Sequence, residues 1–176
     1  MKAYRLLVVI FFVCALSCIK KKERKASLLA LNTHDSLILN NLLTYIDSCW
    51  NKNDTTFLSD ISTENFTRNL NGVLVASTKR EMQAHMNVFF NAFPDMEVKL
   101  EEPHIKNNTA FFQWTSSGTH TGTFGQVRAT GKKVKINGLS SLHFNSDGKL
   151  YQEDVAYNEL GLLQQLGYTL NPPILD

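Results

Sequence analysis

The sequence predicts an α+β domain: helices first, then one strongly curved antiparallel sheet wrapped over three N-terminal helices. Three observations predict it. Between Asp35 and Phe93 apolar residues recur at three- and four-residue spacing, the period of amphipathic helices. From Met96 to Tyr157 the pattern changes to alternation, with aromatic and β-branched residues enriched. Turn signals then punctuate the strands at Asn107-Asn108 and at Asn145-Ser-Asp-Gly148. A curved sheet closed by helices leaves a conical cavity, the default place for a ligand.

Before the domain comes a segment of different composition. Lys2 and Arg5 precede an apolar run of 11 residues, Leu6 to Leu16. A membrane-spanning helix needs about 20 residues, whereas this is the length of a signal-peptide core. The run ends Ala15-Leu16-Ser17-Cys18, which resembles a bacterial lipobox with Ala15 in place of the usual Leu or Val. Residues 1–17 thus read as a lipoprotein signal peptide, Cys18 as the lipidated residue and 18–33 as a lipidated tether. That places the protein in the bacterial cell envelope, lipid-anchored on the periplasmic side or in the outer membrane. The alternative is a plain secretory signal with Cys18 incidental. Lys20, Lys21, Lys22, Arg24 and Lys25 in the tether face only Glu23. They suit either an anionic membrane surface or a solvated linker.

Setting those residues aside leaves 11 bases against 15 acids over 26–176. The domain therefore has no basic excess for a nucleic-acid partner. Cys49 is the single cysteine of the domain, so no internal disulfide forms there, and no Cys/His cluster has zinc spacing. No metal is expected.

Each element follows from local pattern. Asp35 to Lys52 reads as the first helix, its stripe formed by Leu39, Leu42, Leu43, Ile46, Cys49 and Trp50. Cys49 on that stripe reads as a small core residue. Thr55 to Ile61 is a short second helix with Phe57, Leu58 and Ile61 inward. Asn71-Gly72 favours the positive φ angles of a tight hairpin between two short strands. Thr78-Lys-Arg-Glu81 is a capping box opening the third helix, Lys79 to Ala92, which Pro94 stops. Met82, Met86, Phe89, Phe90 and Phe93 form its buried stripe, and His85 sits at its edge. Strands are expected at Glu97–Ile105, Thr109–Gly118, Thr119–Arg128, Val134–Phe144 and Leu150–Tyr157. Gly161 to Gly167 closes the domain as a short amphipathic helix with a glycine stop. In the tail, residues 168–176, Pro172-Pro173 excludes helix, and Ile174 and Leu175 are expected to dock on the domain or on a second subunit.

An ordered set of motifs carries a resemblance. It comprises Trp50-Asn51, Ala92-Phe-Pro-Asp95, Trp114, Gly118-Thr-His-Thr-Gly122, Gly125, Thr130-Gly131-Lys132, Asp147-Gly148-Lys149, Glu153 and Gly161-Leu-Leu-Gln-Gln-Leu-Gly167. At these spacings, over about residues 37–167, the chain resembles the SnoaL-like polyketide and ester cyclases of the nuclear transport factor 2-like folds. The resemblance implies the conical α+β fold for residues 34–167, a homodimer formed through the open sheet face, and a hydrophobic pocket for a small molecule. It also implies ring closure by intramolecular aldol condensation without cofactor or metal, with an acidic side chain on the final strand moving the proton.

Two positions depart from the family pattern. Where an Asp usually stands, three residues before the closing glycine motif, this chain has Asn158, and an amide cannot take up a proton. Where a Trp is usual it has Val155. Along Leu150–Tyr157, alternation puts Tyr151, Glu153, Val155 and Tyr157 on one face. Glu153 with His143 on the preceding strand is the candidate acid–base pair, with Asn158 as a hydrogen-bond donor to a developing oxyanion. Trp114, His120, Tyr151, Tyr157 and Phe89 are the candidate ligand contacts, though His120, set before Gly122, equally suits a strand bend. Three functions stay open: cofactor-free acid–base chemistry of cyclase or isomerase type, ligand binding without chemistry, and a dimeric interaction module.

Overall fold

The computed structural model describes residues 33–171. The expected signal peptide, Cys18, the expected tether as far as residue 32 and the end of the tail from Pro172 lie outside the described residues. Helix α1 (Thr33–Thr44) runs on into a π-helical turn, Tyr45–Trp50. Its widened pitch is closed by the Asn51 amide donating to the Ile46 carbonyl at 2.9 Å. Leu39, Leu42, Ile46, Cys49 and Trp50 are buried as the stripe predicts; Leu43 is exposed instead, and Tyr45 is fully buried with them. Single π turns of this kind concentrate at functional sites. Burial pushes the Cys49 thiol up to about 12, with Asp54 adding to it, which keeps it an inert core residue.

Asp54 caps a 3₁₀ turn, Thr55–Phe57, that leads into α2 (Leu58–Ile61). Strands β1 (Ser62–Leu70) and β2 (Val73–Ala76) form the hairpin at Asn71-Gly72, both at positive φ. Helix α3 (Lys79–Ala92) starts at Thr78, whose hydroxyl accepts the Glu81 amide at 3.1 Å. Glu81 reaches back to Ser77, one residue earlier than in the reciprocal box, accepting from its backbone and hydroxyl at 2.7 Å each. Then come β3 (Glu97–Leu100), β4 (His104–Lys106), β5 (Thr109–Thr119), β6 (Lys133–Phe144), β7 (Leu150–Tyr157) and α4 (Glu159–Leu166). Gly167, at φ 113°, ends α4 in the left-handed region.

The strands make one curved, unclosed sheet in the order β2-β1-β7-β6-β5-β3, with β4 also on β5. Its pairs are antiparallel except one: β1 and β7 run parallel. The curved antiparallel sheet expected from the sequence is present, with this one parallel joint in it. No hairpin joins β1 to β7, so no turn dictates their relative direction. Two strand expectations are corrected. Glu97–Ile105 breaks at Glu101–Pro103 into β3 and β4, since Pro103 carries no N–H for a ladder. Thr119–Arg128 is not a strand. After Thr119 the chain leaves the sheet as a loop whose one internal bridge joins Phe124 to Val127.

The glycine-rich stretch explains that loop. The amides of Thr121 and Gly122 both donate to the Ala92 carbonyl, at 3.0 and 3.1 Å, satisfying the C-terminal end of α3. A Cβ on Gly122 would lie 1.8 Å from the Asn91 carbonyl oxygen, so only glycine fits. Beneath, Ala92, Phe93, Val134, Leu162 and Leu166 form a buried cluster that joins α3, β6 and α4.

On α3, His85 packs against Phe89 with ring centroids 5.3 Å apart. Burial first, and then the Arg68 charge, push its imidazole down to about 4. The unfolded histidine, near 6.5, binds a proton that the native one refuses, so stability falls as pH drops from about 6.5 towards 4. NMR titration should give His85 a midpoint near 4, and His85→Gln should flatten the acid limb of the stability curve. A midpoint at 6 or above would contradict this packing.

Candidate functional site

The site is built outward from β7. The β6–β7 register pairs His143 with Gln152 and Phe144 with Leu150, which leaves Tyr151 as an extra residue in a bulge. Two residues rather than one therefore separate the inward side chains of Leu150 and Glu153. Tyr151 is turned out to 41% exposure while Glu153 is 3% exposed. Uniform alternation placed Tyr151 in the cavity wall; the bulge corrects that.

In the parallel pair, Arg68 of β1 is the direct neighbour of Glu153. Both are buried. Arg68 Nη1 pairs with Glu153 Oε2 as hydrogen bond and ion pair. The Tyr45 hydroxyl donates to the same Oε2 at 2.5 Å and accepts from Arg68 Nη1 at 3.2 Å. The guanidinium also lies 5.3 Å above the Trp50 ring. On the other side, Ser140 donates to Glu153 Oε1 at 3.3 Å and accepts the Trp114 indole N–H at 3.0 Å. One carboxylate thus gathers groups from the π turn, β1, β5 and β6.

Charge explains the arrangement. An isolated charge in this setting is costly, and one with a bonded partner is tolerated. Burial, the largest influence, would lower Arg68, but Glu153, Tyr45 and Tyr157 together outweigh it and hold the guanidinium above its ordinary range. Tyr45 is raised well above 10 by burial and then by Glu153, so it stays a proton donor.

These groups close one end of a pocket with about 500 Å³ of empty volume, its open mouth included. The walls are apolar and aromatic: Ile46, Trp50, Phe89, Met96, Phe112, Trp114, Val155 and Tyr157. A Cβ on Gly138 would lie 2.4 Å from the Trp114 ring, so this glycine lets the indole lie flat across β6. Trp114 in turn meets Tyr157 with ring centroids 5.9 Å apart. Burial and the nearby Glu159 push the Tyr157 hydroxyl up to about 12, again leaving a donor.

Of the residues the sequence singled out, Glu153, Trp114, Tyr157 and Phe89 line this pocket. His143 does not, and its expected pairing with Glu153 is corrected. It lies on the opposite face of the sheet, where its Nε2 meets Asp154 at 3.0 Å and its Nδ1 meets Thr109 at 3.2 Å. Strand alternation is the reason, because the inward neighbours on β6 are Ser140 and Leu142. Asn158 is corrected as well. It is exposed and caps α4 by accepting the Gly161 amide at 2.8 Å. His120 is buried away from the pocket. Its Nδ1 accepts the Thr130 amide at 3.2 Å, its backbone pairs with Lys132 and Gly131, and its ring packs on Phe93. It holds the glycine-rich loop and does not line the pocket. Among the described residues, no three His, Cys, Asp or Glu side chains converge as metal ligands.

Sequence reasoning misses Tyr45, Arg68 and Ser140. Arg68 carries a signal: in Phe66-Thr-Arg68-Asn-Leu70 it takes an inward position between two apolar ones. A charge there demands a buried counter-charge. Tyr45 carries one too: it stands seven residues after Ile38 and three after Leu42, the spacing of one helix face, and all three are buried.

The model of the SnoaL-like polyketide cyclase family matches residues 40–166. None of the curated proteins matches the chain. Among solved structures, a protein from Jannaschia sp. CCS1 assigned as a SnoaL-like polyketide cyclase superposes with TM-score 0.71 at 18% identity, over 81% of this chain and 98% of its own. AclR from Streptomyces galilaeus, assigned as a hydroxylase, gives TM-score 0.64 at 24% identity, over 80% of this chain and 88% of its own. A SnoaL-like polyketide cyclase from Agrobacterium tumefaciens gives 0.59 at 17% identity, over 74% and 98%. At these identities the structures share the fold with this chain, while the match across residues 40–166 sets its membership: the chain belongs to the SnoaL-like polyketide cyclase family.

Proposed function

We propose that the chain takes a small, mostly apolar carbonyl compound into its pocket and moves a proton on it without cofactor or metal, in a cyclase- or isomerase-type reaction. One observation carries this reading. Glu153 ends the aromatic pocket with Oε2 fixed by Arg68 and Tyr45 and with Oε1 holding a single long bond, 3.3 Å from Ser140. A carboxylate oriented through one oxygen and free at the other has the form of a positioned general base. In ring closure, Oε1 takes a proton from the carbon beside a carbonyl. The resulting enolate carbon attacks a second carbonyl of the same molecule, and the new alkoxide takes the proton back from Glu153. Tyr157 is the wall hydroxyl suited to holding an enolate oxygen. The polyketide cyclases among the similar structures support the ring-closing form of this chemistry.

A second reading is ligand binding without turnover. It is favoured by Asn158, an amide at the family's usual acid position, which here faces solvent as a cap. For location, the proposal is a lipid anchor on Cys18 in the bacterial cell envelope, with the basic tether against the membrane. For assembly, it is a homodimer through the outer sheet face, where Phe111, Leu139 and Tyr151 are exposed.

Native mass spectrometry of protein purified from a bacterial host tests the chemistry. The wild type should retain a cyclised small molecule, and Glu153→Gln should retain its open precursor. The same molecule in both would leave binding alone. His143→Ala, altering the opposite face, should leave the retained molecule unchanged; its loss would return His143 to the site. The ion pair has its own test in denaturant unfolding. Arg68→Met should cost about 3–5 kcal/mol by stranding Glu153 in the interior, and the double variant Arg68→Met/Glu153→Met should recover most of that. Equal losses in both variants would mean that the two charges are not coupled.

A further inference from the structure

The charge balance of the pocket carries one step more, resting on the reading of the pocket as a ligand site. We infer that it admits uncharged ligands, such as alcohols, ketones and esters, and excludes carboxylates of the same size. Of the residues that line it, Arg68 is the one cation and Glu153 the one anion, and they are bonded to each other. The closed end is therefore polar and neutral. An Arg at the bottom of an apolar pocket ordinarily invites an acid, because the guanidinium fork matches a carboxylate. Here Glu153 Oε2 already holds Nη1 and balances the guanidinium charge, while Nε has no hydrogen-bond partner. A ligand carboxylate at that end would lose its hydration, face Glu153 Oε1 across a short gap, and find no unpaired cation. A hydroxyl or carbonyl meets no such penalty. It can donate to Oε1 or accept from Tyr157, whose proton is held to about pH 12.

The same balance makes the exclusion depend on the ligand's own protonation. The charged and titratable groups around the closed end are Glu153 and Tyr157 from β7, Arg68 from β1 and Tyr45 from the π turn. His85 on α3 is near enough to feel the Arg68 charge, and Glu159 on α4 is near enough to act on Tyr157. His85 titrates at about 4, Tyr157 at about 12, and Tyr45 well above 10. All three lie outside the window from pH 6 to 7.5, where a fatty acid is already almost wholly its anion and its protonated fraction falls about tenfold per pH unit.

Both tryptophans of the chain, Trp50 and Trp114, line the pocket, so intrinsic fluorescence reports occupancy. The full-length chain is titrated with octan-1-ol and with octanoate. Octanol should bind with affinity flat from pH 6 to 7.5. Octanoate should weaken by about tenfold per pH unit over that window, since only its protonated form enters. In Glu153→Gln the freed guanidinium should invert the preference, with octanoate at pH 7.5 binding more tightly than octanol. The pH series uses the wild type alone and decides the matter even where the variant does not fold. Octanoate matching octanol at pH 7.5 in the wild type overturns the selectivity and leaves the ligand site standing. A folded Glu153→Gln that still rejects octanoate overturns it too. No fluorescence response to either probe in the wild type removes the ligand site, and the selectivity falls with it.

Discussion

The contact between Arg68 and Glu153 constrains more of this molecule than any other. Two charges of opposite sign are buried side by side, and neither is tolerable there without the other. Satisfying them needs a defined geometry from three parts of the chain. β1 and β7 must pair in the one register that makes these residues neighbours. The π turn must present Tyr45 to the same oxygen, and β6 must offer Ser140 to the other. A slip of one residue in either strand would turn Arg68 or Glu153 to the outer face and expose its partner to an apolar interior. The pair contributes little net stability by itself. It makes alternative registers costly, and so it specifies the parallel joint between β1 and β7.

The local irregularities serve this joint. The π turn adds a residue and brings Tyr45 and Trp50 to bear on the same pocket. The bulge at Tyr151 shifts the phase of β7, so that Leu150 fills the core and Glu153 still points inward. Gly138 removes a side chain where Trp114 must cross β6. Each is a break in a regular element, and each re-aims a side chain that touches the pocket. Where the chain stays regular, as along α3, its buried residues Met82, Met86, Phe90 and Ala92 fill the core.

The same division explains what can be read from the sequence. Helices, strands and hairpins follow from period and turn chemistry. The order of elements, the limits of α3 and the hairpins at Asn71-Gly72 and Asn145–Gly148 are accordingly legible. Glu153 and Trp114 are legible as pocket residues because they lie on regular strands at inward phase. Tyr45 is missed although it shares a helix face with Ile38 and Leu42, and Tyr151 is misplaced because a bulge is a single-residue insertion that leaves no periodic trace. His143 is misassigned for another reason: closeness in sequence to a pocket strand does not say which face a side chain takes. The parallel direction of β1 against β7 depends on long-range pairing, which local pattern does not carry.

The place of the acid rests on the same constraint. At residue 158 this chain carries Asn where its family usually carries Asp. Asn and Asp cap a helix about equally well, and Asn158 caps α4. The cap therefore tolerates either residue, and folding places no demand on which is present. The exchange removes a carboxylate from the end of β7 at no structural cost, as it should if the proton-moving group lies elsewhere. Five residues earlier Glu153 supplies a carboxylate that folding does constrain, since Arg68 requires it. A carboxylate that is at once required by the fold and open at one oxygen to the pocket couples the integrity of the site to the integrity of the sheet. Loss of that group would disturb the architecture along with any chemistry, whereas an exchange at residue 158 disturbs neither.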